Sequence, residues 1–217
     1  MNKFLNGPSI NSDPGKFDKI IIFLHGYGAN GNDLISIGNS WQKELPNTMF
    51  ISPNAPFDCP WGNNAYQWFE LSSISPKSIG SGLKKAGPFL NEFIDNISKE
   101  TEVPFEKIFF VSFSQGTMMA LYHLCKRNKS CAGIMGYSGL LFCDENFDLA
   151  IKSKPPIRLY HGKNDDIITF EQTINASKKL KSLNFDVDHK IKEFLGHGID
   201  DDGLQYGLDF VKKTFNI

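Results

Sequence analysis

One serine in the sequence lies where a buried strand is predicted to turn into a helix. Residues 108–111 are four consecutive apolar residues, typical of a strand buried on both faces, and residues 118–122 favour a helix. Ser114 occupies the turn between them, where its hydroxyl would project beyond the sheet edge and the first N–H groups of the helix would point at developing negative charge. Because a serine hydroxyl alone is a poor nucleophile, this interpretation requires a base and an orienting acid elsewhere.

The five histidines differ in their predicted positions relative to the strand ends, where ligands bind in a sheet covered by helices on both faces. His123 falls on the helix after the serine, and His189 lies within a strand. His25 and His161 directly follow strands, whereas His197 lies past a strand end between two glycines. In hydrolases of this architecture the serine, the acid and the histidine occur in that order along the chain. This order excludes His25 and favours His197 as the base.

An aspartate at a strand end, between the serine and His197 in the sequence, would fix the tautomer of the histidine and stabilise the imidazolium as it forms. Asp165 and Asp166 follow the His161-Gly162 turn and are the candidates. The other aspartates considered lie in a predicted loop or at the start of a strand: Asp144, Asp148, Asp186 and Asp188. The residues alone do not decide between Asp165 and Asp166.

A glycine-rich segment follows the first buried strand. Residues 26–31 match G-x-G-x-x-G between a strand and a helix, which is the context of a dinucleotide-binding loop. That fingerprint also requires a carboxylate at the end of the second strand, and residues 49–53 are followed by no carboxylate before Asp58. The same loop would supply backbone N–H groups to an oxyanion. The dinucleotide alternative therefore stays open with weaker support.

Strands and helices alternate along the chain, which predicts an α/β fold with a mostly parallel central sheet and helices on both faces. One domain is predicted over residues 1–217, with a leader or edge hairpin at 1–17. Residues 57–77 are predicted to form an irregular loop near the site, because loops of this length are often lids or binding loops. A helix over residues 78–100 should kink or split at Gly87-Pro88.

The composition argues against several classes of function. A net charge of −1 gives no indication of binding to nucleic acid or to an anionic membrane surface. No apolar run is long enough to cross a membrane, and no apolar signal-peptide segment follows Met1. The four cysteines form no CxxC pair and have no zinc-type spacing to histidine. We therefore expect a cytoplasmic protein that uses no metal and no cofactor.

Six short segments, taken in order, resemble the phospholipase/carboxylesterase family of α/β-hydrolases, which includes the acyl-protein thioesterases. They are Leu24-His25-Gly26-Tyr27-Gly28, Pro53-Asn54-Ala55-Pro56, Gln67-Trp68-Phe69-Glu70, Phe113-Ser114-Gln115-Gly116, His161-Gly162-Lys163-Asn164-Asp165 and Gly196-His197. Each segment is weak evidence alone, but the ordered set is specific and covers nearly the whole chain. The resemblance implies the α/β-hydrolase fold.

The resemblance also implies a role for each residue at the matched positions. Ser114 would be the nucleophile, Asp165 the acid and His197 the base. The backbone N–H groups of Tyr27 and Gln115 would form the oxyanion hole. The expected reaction is hydrolysis of a carboxylic ester, of the carboxylesterase or lysophospholipase type, through an acyl-enzyme on the serine.

Two further features of the resemblance concern the surroundings of the serine. Trp68 and Phe69 would lie beside the acyl pocket, usually as structural support, and with Leu71 they are the predicted pocket residues. Ser112 replaces the usual first glycine of G-x-S-x-G, and Thr117 stands where the family often has another glycine. Because serine adds only a Cβ and a hydroxyl to the tight strand-to-helix turn, we expect the exchange at residue 112 to be tolerated.

Other functions remain as alternatives. An acyl-protein thioesterase would use the same residues to remove fatty acyl groups from cysteine, so the predicted substrates are a small-molecule ester, a lysophospholipid or an acyl-thioester. A catalytically silent hydrolase fold used for binding is a second alternative, and a dinucleotide-binding oxidoreductase is a third. Covalent labelling by a fluorophosphonate separates an active serine hydrolase from the silent fold. The resemblance leaves a homodimer open.

Overall fold

Strands and helices alternate along the chain as predicted. The structure is a computed structural model that describes residues 5–11, 17–71 and 75–217. The strands are β1 (Ser9–Asn11), β2 (Lys19–Leu24), β3 (Thr48–Ile51), β4 (Phe57–Asp58), β5 (Tyr66–Gln67), β6 (Ile108–Phe113), β7 (Gly133–Tyr137), β8 (Ile157–Gly162) and β9 (Val187–Lys192). The helices are α1 (Gly31–Trp41), α2 (Pro76–Thr101), α3 (Gln115–His123), α4 (Phe147–Ala150), α5 (Glu171–Ser182) and α6 (Asp201–Phe215).

Seven of these strands form one sheet in the order β1-β3-β2-β6-β7-β8-β9. All neighbours in it are parallel except β1 and β3, which are antiparallel. Parallel strands bring their carboxyl ends to one edge of the sheet, and ligands of such sheets bind there. The predicted α/β-hydrolase fold, with a mostly parallel central sheet, is confirmed.

Helices cover both faces of the sheet because the central strands are apolar on both sides. Along β2, Ile20 and Ile22 pack into one hydrophobic cluster with α2, α3 and α5, whereas Ile21 and Phe23 pack into a second cluster with α1 and α6. These four isoleucine and phenylalanine side chains have no solvent exposure. The two clusters pack the central strands on both faces. The loops at the strand ends are thereby built on a well-packed support, as a site assembled from several loops requires.

The helix around Gly87 and Pro88 is not divided, which excludes one of the two predicted outcomes. Helix α2 is continuous from Pro76 to Thr101, with Pro88 inside it, so the predicted split is wrong. Proline removes one backbone hydrogen bond, but the buried side chains of Leu83, Ala86 and Leu90 pack the helix against the core on both sides of it. Packing therefore maintains a helix that local sequence alone would interrupt.

The segment predicted as an irregular loop contains a small hairpin. Strands β4 and β5 pair in antiparallel fashion within residues 57–77, so this part of the prediction is corrected. Two-residue strands carry no periodic pattern, which is why the sequence did not indicate them. Of the predicted leader at 1–17, residues 9–11 form the edge strand β1, whereas residues 1–4 and 12–16, like 72–74, lie outside the described residues. No described helix is both long and apolar enough to cross a bilayer.

Candidate active site

Ser114 lies at a strained turn between strand and helix. Strand β6 ends at Phe113, helix α3 begins at Gln115, and Ser114 between them has φ 52° and ψ −114°. A positive φ is unfavourable for a residue with a side chain, and this strand-to-helix turn raises the serine hydroxyl above the sheet. Gly116 makes the turn feasible, because a Cβ at that position would lie 2.0 Å from the carbonyl oxygen of Leu24.

Ser112 and Thr117, which replace the glycines usual in the family, contact each other. The Ser112 hydroxyl donates to the carbonyl of Met135 at 3.1 Å, and Thr117 Oγ1 lies 3.2 Å from Ser112 Oγ and 3.0 Å from the carbonyl of Tyr137. The threonine fits because residue 139 is glycine, where a Cβ would lie 2.4 Å from Thr117 Cβ. Both hydroxyls are fully satisfied inside the fold, so the turn accommodates them.

The structure brings Ser114, His197 and Asp165 into one line. The distance from His197 Nε2 to Ser114 Oγ is 3.0 Å, and that from His197 Nδ1 to Asp165 Oδ2 is 2.7 Å. The Asp165 side chain is fully buried, and that of His197 is 19% exposed. Both distances allow hydrogen bonds, so a proton can move from the hydroxyl to the imidazole while the carboxylate stabilises the imidazolium.

Asp165 is held by four hydrogen bonds. Its Oδ1 accepts the backbone N–H groups of Ile167 and Ile168, both at 2.9 Å. Its Oδ2 faces His161 Nε2 at 3.0 Å in addition to His197. Four donors on one buried carboxylate fix its orientation.

His161 is a residue that sequence reasoning placed near the site without giving it a role. The carbonyl of Ile168 and Asp165 Oδ2 both lie within hydrogen-bond distance of Nε2, so Nε2 carries the proton, and Nδ1 accepts the Thr173 hydroxyl at 2.7 Å. Burial lowers the pKa of His161, which keeps the ring neutral. The four-residue spacing from His161 to Asp165 is the signal that links them in the sequence.

The other acid and histidine candidates lie elsewhere. Asp166 is exposed next to the buried Asp165, so burial separates two neighbours that the sequence left equivalent. Asp144 accepts the Tyr122 hydroxyl, and Asp186 pairs with Arg158.

His123 and His189 take no part in the row of hydrogen bonds formed by Ser114, His197 and Asp165. His123 contacts the carbonyl of Leu83 on α2, and burial lowers the pKa of its ring to about 4. His189 lies within β9. His25 is buried, donates from Nδ1 to the carbonyl of Gly26 and accepts the N–H of Ala55. His25 therefore fixes the glycine loop rather than carrying chemistry.

The N–H groups that follow the glycine loop at the start of α1 are not free to bind a nucleotide. In the described part of the chain, the N–H groups of Tyr27 and Gln115 donate to no backbone carbonyl. At the start of α1, by contrast, the N–H of Gly31 donates to Asn54 Oδ1 and that of Asn32 donates to Asn30 Oδ1. A pyrophosphate would need those first-turn donors, so the arrangement does not support the dinucleotide alternative.

Two of the predicted pocket residues are almost completely buried. Trp68 and Phe69 are 0% and 1% exposed and pack in the core. Their backbone is tied to the turn by the Gln115 side chain, which accepts the N–H of Trp68 and donates to the carbonyl of Phe69. These two residues support the turn, and Phe69 also borders a pocket lined by Glu70, Ser78 and Lys85 that does not include Ser114. Leu71 is partly exposed and packs on the same cluster, so its role as a pocket wall stays a prediction.

A pocket that the sequence did not indicate opens beside the serine. It measures about 240 Å³ and is lined by His25, Gly26, Ala29, Asp33, Leu34, Phe113 and Ile199. Gly26 borders the serine, since a Cβ on it would lie 3.3 Å from Ser114 Cβ. The Phe113 ring lies 4.9 Å from the His197 ring, centroid to centroid. The lining residues come from three distant parts of the chain, so no local motif indicates the pocket.

Comparison with known proteins agrees with the geometry. Residues 5–215 match the phospholipase/carboxylesterase family. Acyl-protein thioesterase 1 of Schizosaccharomyces pombe is 31% identical over 168 residues, which cover 74% of each chain. Esterase YpfH of Escherichia coli is 25% identical over 197 residues, covering 90% of this chain and 83% of that protein. The crystal structure of esterase PE8 has a TM-score of 0.93 and 34% identity, covering 97% of this chain and 99% of that one. The chain therefore belongs to the phospholipase/carboxylesterase family.

Proposed function

We propose that the chain hydrolyses carboxylic esters through an acyl-enzyme on Ser114, with His197 as the base and Asp165 as the acid that orients it. The continuous line from Ser114 Oγ to His197 Nε2 and from His197 Nδ1 to Asp165 Oδ2, at 3.0 and 2.7 Å, carries the proposal. The hydrolase class itself is confirmed by relatives named esterase and thioesterase. The residue roles are inferred from the geometry.

In the first half of the reaction, His197 takes the proton of Ser114, and Oγ attacks the acyl carbon. The N–H groups of Tyr27 and Gln115 stabilise the resulting oxyanion. Gln115 is the first residue of α3, so its N–H has no acceptor within the helix and the helix dipole adds to its effect. His197 then gives the proton to the leaving oxygen. In the second half, water attacks the acyl-enzyme with His197 again as the base.

The thioesterase alternative uses the same chemistry with a sulfur leaving group. Its support is that several relatives, including those of Gibberella zeae and Schizosaccharomyces pombe, are named acyl-protein thioesterase 1. An S-acyl peptide and an oxygen ester that carry the same acyl group separate the two functions. We expect a higher kcat/KM for the oxygen ester, and the opposite ratio would favour the thioesterase.

The test of the proposed function compares two serines that lie two residues apart. Ser114→Ala should lower kcat for ester hydrolysis by about 10⁴ to 10⁶, as losses of a triad nucleophile do elsewhere. The matched control is Ser112→Ala, whose hydroxyl faces the carbonyl of Met135 and not His197. It should retain activity within about threefold, as expected of a side chain outside the chemistry. Retention of more than about a tenth of the activity by Ser114→Ala would refute the mechanism.

Three further expectations belong to the proposal. A cytoplasmic location is supported by four cysteines that are all free thiols. A single domain is supported by one sheet whose strands run from Ser9 to Lys192. A homodimer is to be tested by light scattering.

Lysophospholipid and small-molecule esters are the substrate classes to compare first.

A further inference from the structure

The pocket beside Ser114 has a position and a chemistry that select one half of an ester. Its walls include Phe113, which packs on the His197 ring, and Ile199, which lies two residues after that histidine. In the mechanism proposed above, His197 Nε2 must give its proton to the leaving oxygen. The leaving group therefore lies on the side of the serine where the imidazole is.

The acyl group of the substrate would extend away from this pocket, towards the opposite face of the sheet. Leu34, Phe113 and Ile199 pack with the hydrophobic cluster that includes α1 and α6, whereas Leu71 packs with the cluster on the opposite face of the sheet. The four groups around the tetrahedral carbon point in different directions, so a leaving group near His197 directs the acyl group away from Ile199. The two halves of the substrate thus meet different walls.

The charges of the pocket restrict what enters it. An apolar surface is formed by Leu34, Phe113, Ile199, Ala29 and Gly26, and none of the described lysines or arginines lines the pocket. The Asp33 carboxylate is the charged group in the lining, and it also accepts the N–H of Asn30. The His25 ring has both nitrogens engaged by the protein and offers no donor to a ligand. A phosphate or carboxylate in the leaving group would be repelled.

We propose that this pocket receives the leaving group of the substrate and that this group is a small, uncharged alcohol. The proposal depends on the proposed function, because it assigns the two sides of the same serine. A volume of about 240 Å³, below the range of roughly 300–1,000 Å³ found for drug-sized ligands, matches a short alcohol. Lysophospholipids with an anionic headgroup and acyl-CoA are disfavoured as substrates.

Two ester series test the assignment. One keeps the acetyl group and varies the alcohol from methyl to hexyl, and the other keeps methanol as the leaving group and varies the acyl chain from acetyl to hexanoyl. Acid release is followed at constant pH. Each series is run on the wild type, on Ile199→Trp and on the control Ile217→Trp. Ile217 follows the far end of α6, about 20 Å along the helix from its start, so the control makes the same substitution away from the pocket.

We expect Ile199→Trp to lower kcat/KM for hexyl acetate at least about tenfold relative to methyl acetate, because a filled pocket excludes the longer alcohol. The acyl series should keep the wild-type profile. Ile199→Ala, which widens the pocket, should shift the preference towards longer alcohols and gives a second readout if the tryptophan variant does not fold. Asp33→Asn should raise kcat/KM for an ester with an anionic leaving group by about two- to fivefold, as expected of one exposed charge.

The proposal is overturned if the two variants at residue 199 change the acyl profile and not the alcohol profile, or if they change neither. Failure of the proposed function would look different. In that case the wild type would hydrolyse no ester of either series, before any variant is compared.

Discussion

The substitution Asp165→Asn probes the part of the site that is most fully determined by its contacts. In the wild type, Oδ1 accepts two backbone N–H groups, from Ile167 and Ile168, and Oδ2 accepts from His197 and His161. An asparagine has one oxygen and one NH₂ group in the same places. If the oxygen keeps the two backbone donors, the NH₂ group faces the N–H of His161 and Nδ1 of His197.

The consequence for His197 is a change of tautomer. Nδ1 must then accept a hydrogen bond from the new NH₂ group, so the proton moves to Nε2, which faces Ser114 Oγ at 3.0 Å. An Nε2–H cannot take the serine proton. In a triad of this kind the same exchange lowers kcat by about 10⁴, which corresponds to about 5.5 kcal/mol at about 1.4 kcal/mol per factor of ten.

The assay is the steady-state hydrolysis of a short-chain p-nitrophenyl ester by the wild type, Asp165→Asn and the control Asp166→Asn. Asp166 is exposed and adjacent, so its substitution makes the same chemical change without touching His197. We expect the control to stay within about threefold of the wild type. Circular dichroism at the assay temperature checks that each variant is folded. A loss of less than about tenfold for Asp165→Asn, or equal losses in both variants, would refute the reasoning.

Three smaller predictions follow from the surrounding contacts. Thr173→Val removes the hydroxyl that fixes the proton of His161 on Nε2, so kcat should fall by about three- to tenfold, the effect of one hydrogen bond worth about 0.5–1.5 kcal/mol, and Thr173→Ser should restore it. Ser112→Gly loses its bond to Met135 and adds backbone freedom, so calorimetry should give a free energy of unfolding lower by about 1–2 kcal/mol with activity unchanged. His123 is half-buried, and its pKa is lowered from 6.5 to about 4 by desolvation, so the unfolded state binds a proton first as the pH falls. Its contribution to stability is therefore complete above pH 6.5 and is lost towards pH 4, by up to roughly 3 kcal/mol, and urea unfolding of His123→Gln should show a flatter pH dependence.

The sequence predicted the architecture because its strands are continuous apolar runs. Residues 108–111 are apolar without alternation, and the strand they form is buried on both faces. His197 could be selected because only a loop past a strand end brings a ring back over the turn. Where local pattern and packing disagree, as at Pro88 in α2, the helix is not split because tertiary contacts outweigh one lost hydrogen bond.

What the sequence could not supply depends on burial and on distant contacts. Asp165 and Asp166 are the same residue type at adjacent positions, so the sequence cannot distinguish them. The fold buries Asp165 and exposes Asp166. The contact between Ser112 and Thr117, which reconciles both departures from the family pattern, requires the turn to be built first. The pocket at Ile199 joins segments that are far apart in the chain, so no spacing reveals it.

The central claim is that Ser114 is made nucleophilic by His197, and covalent labelling tests it most directly. The folded protein is treated with a fluorophosphonate, and the adduct is located by mass spectrometry of its peptides. We expect a single adduct on Ser114, none on Ser112, and a labelling rate that falls by at least about 10³ in His197→Ala. An unlabelled wild type, or labelling of Ser114 at the same rate in His197→Ala, would contradict the claim.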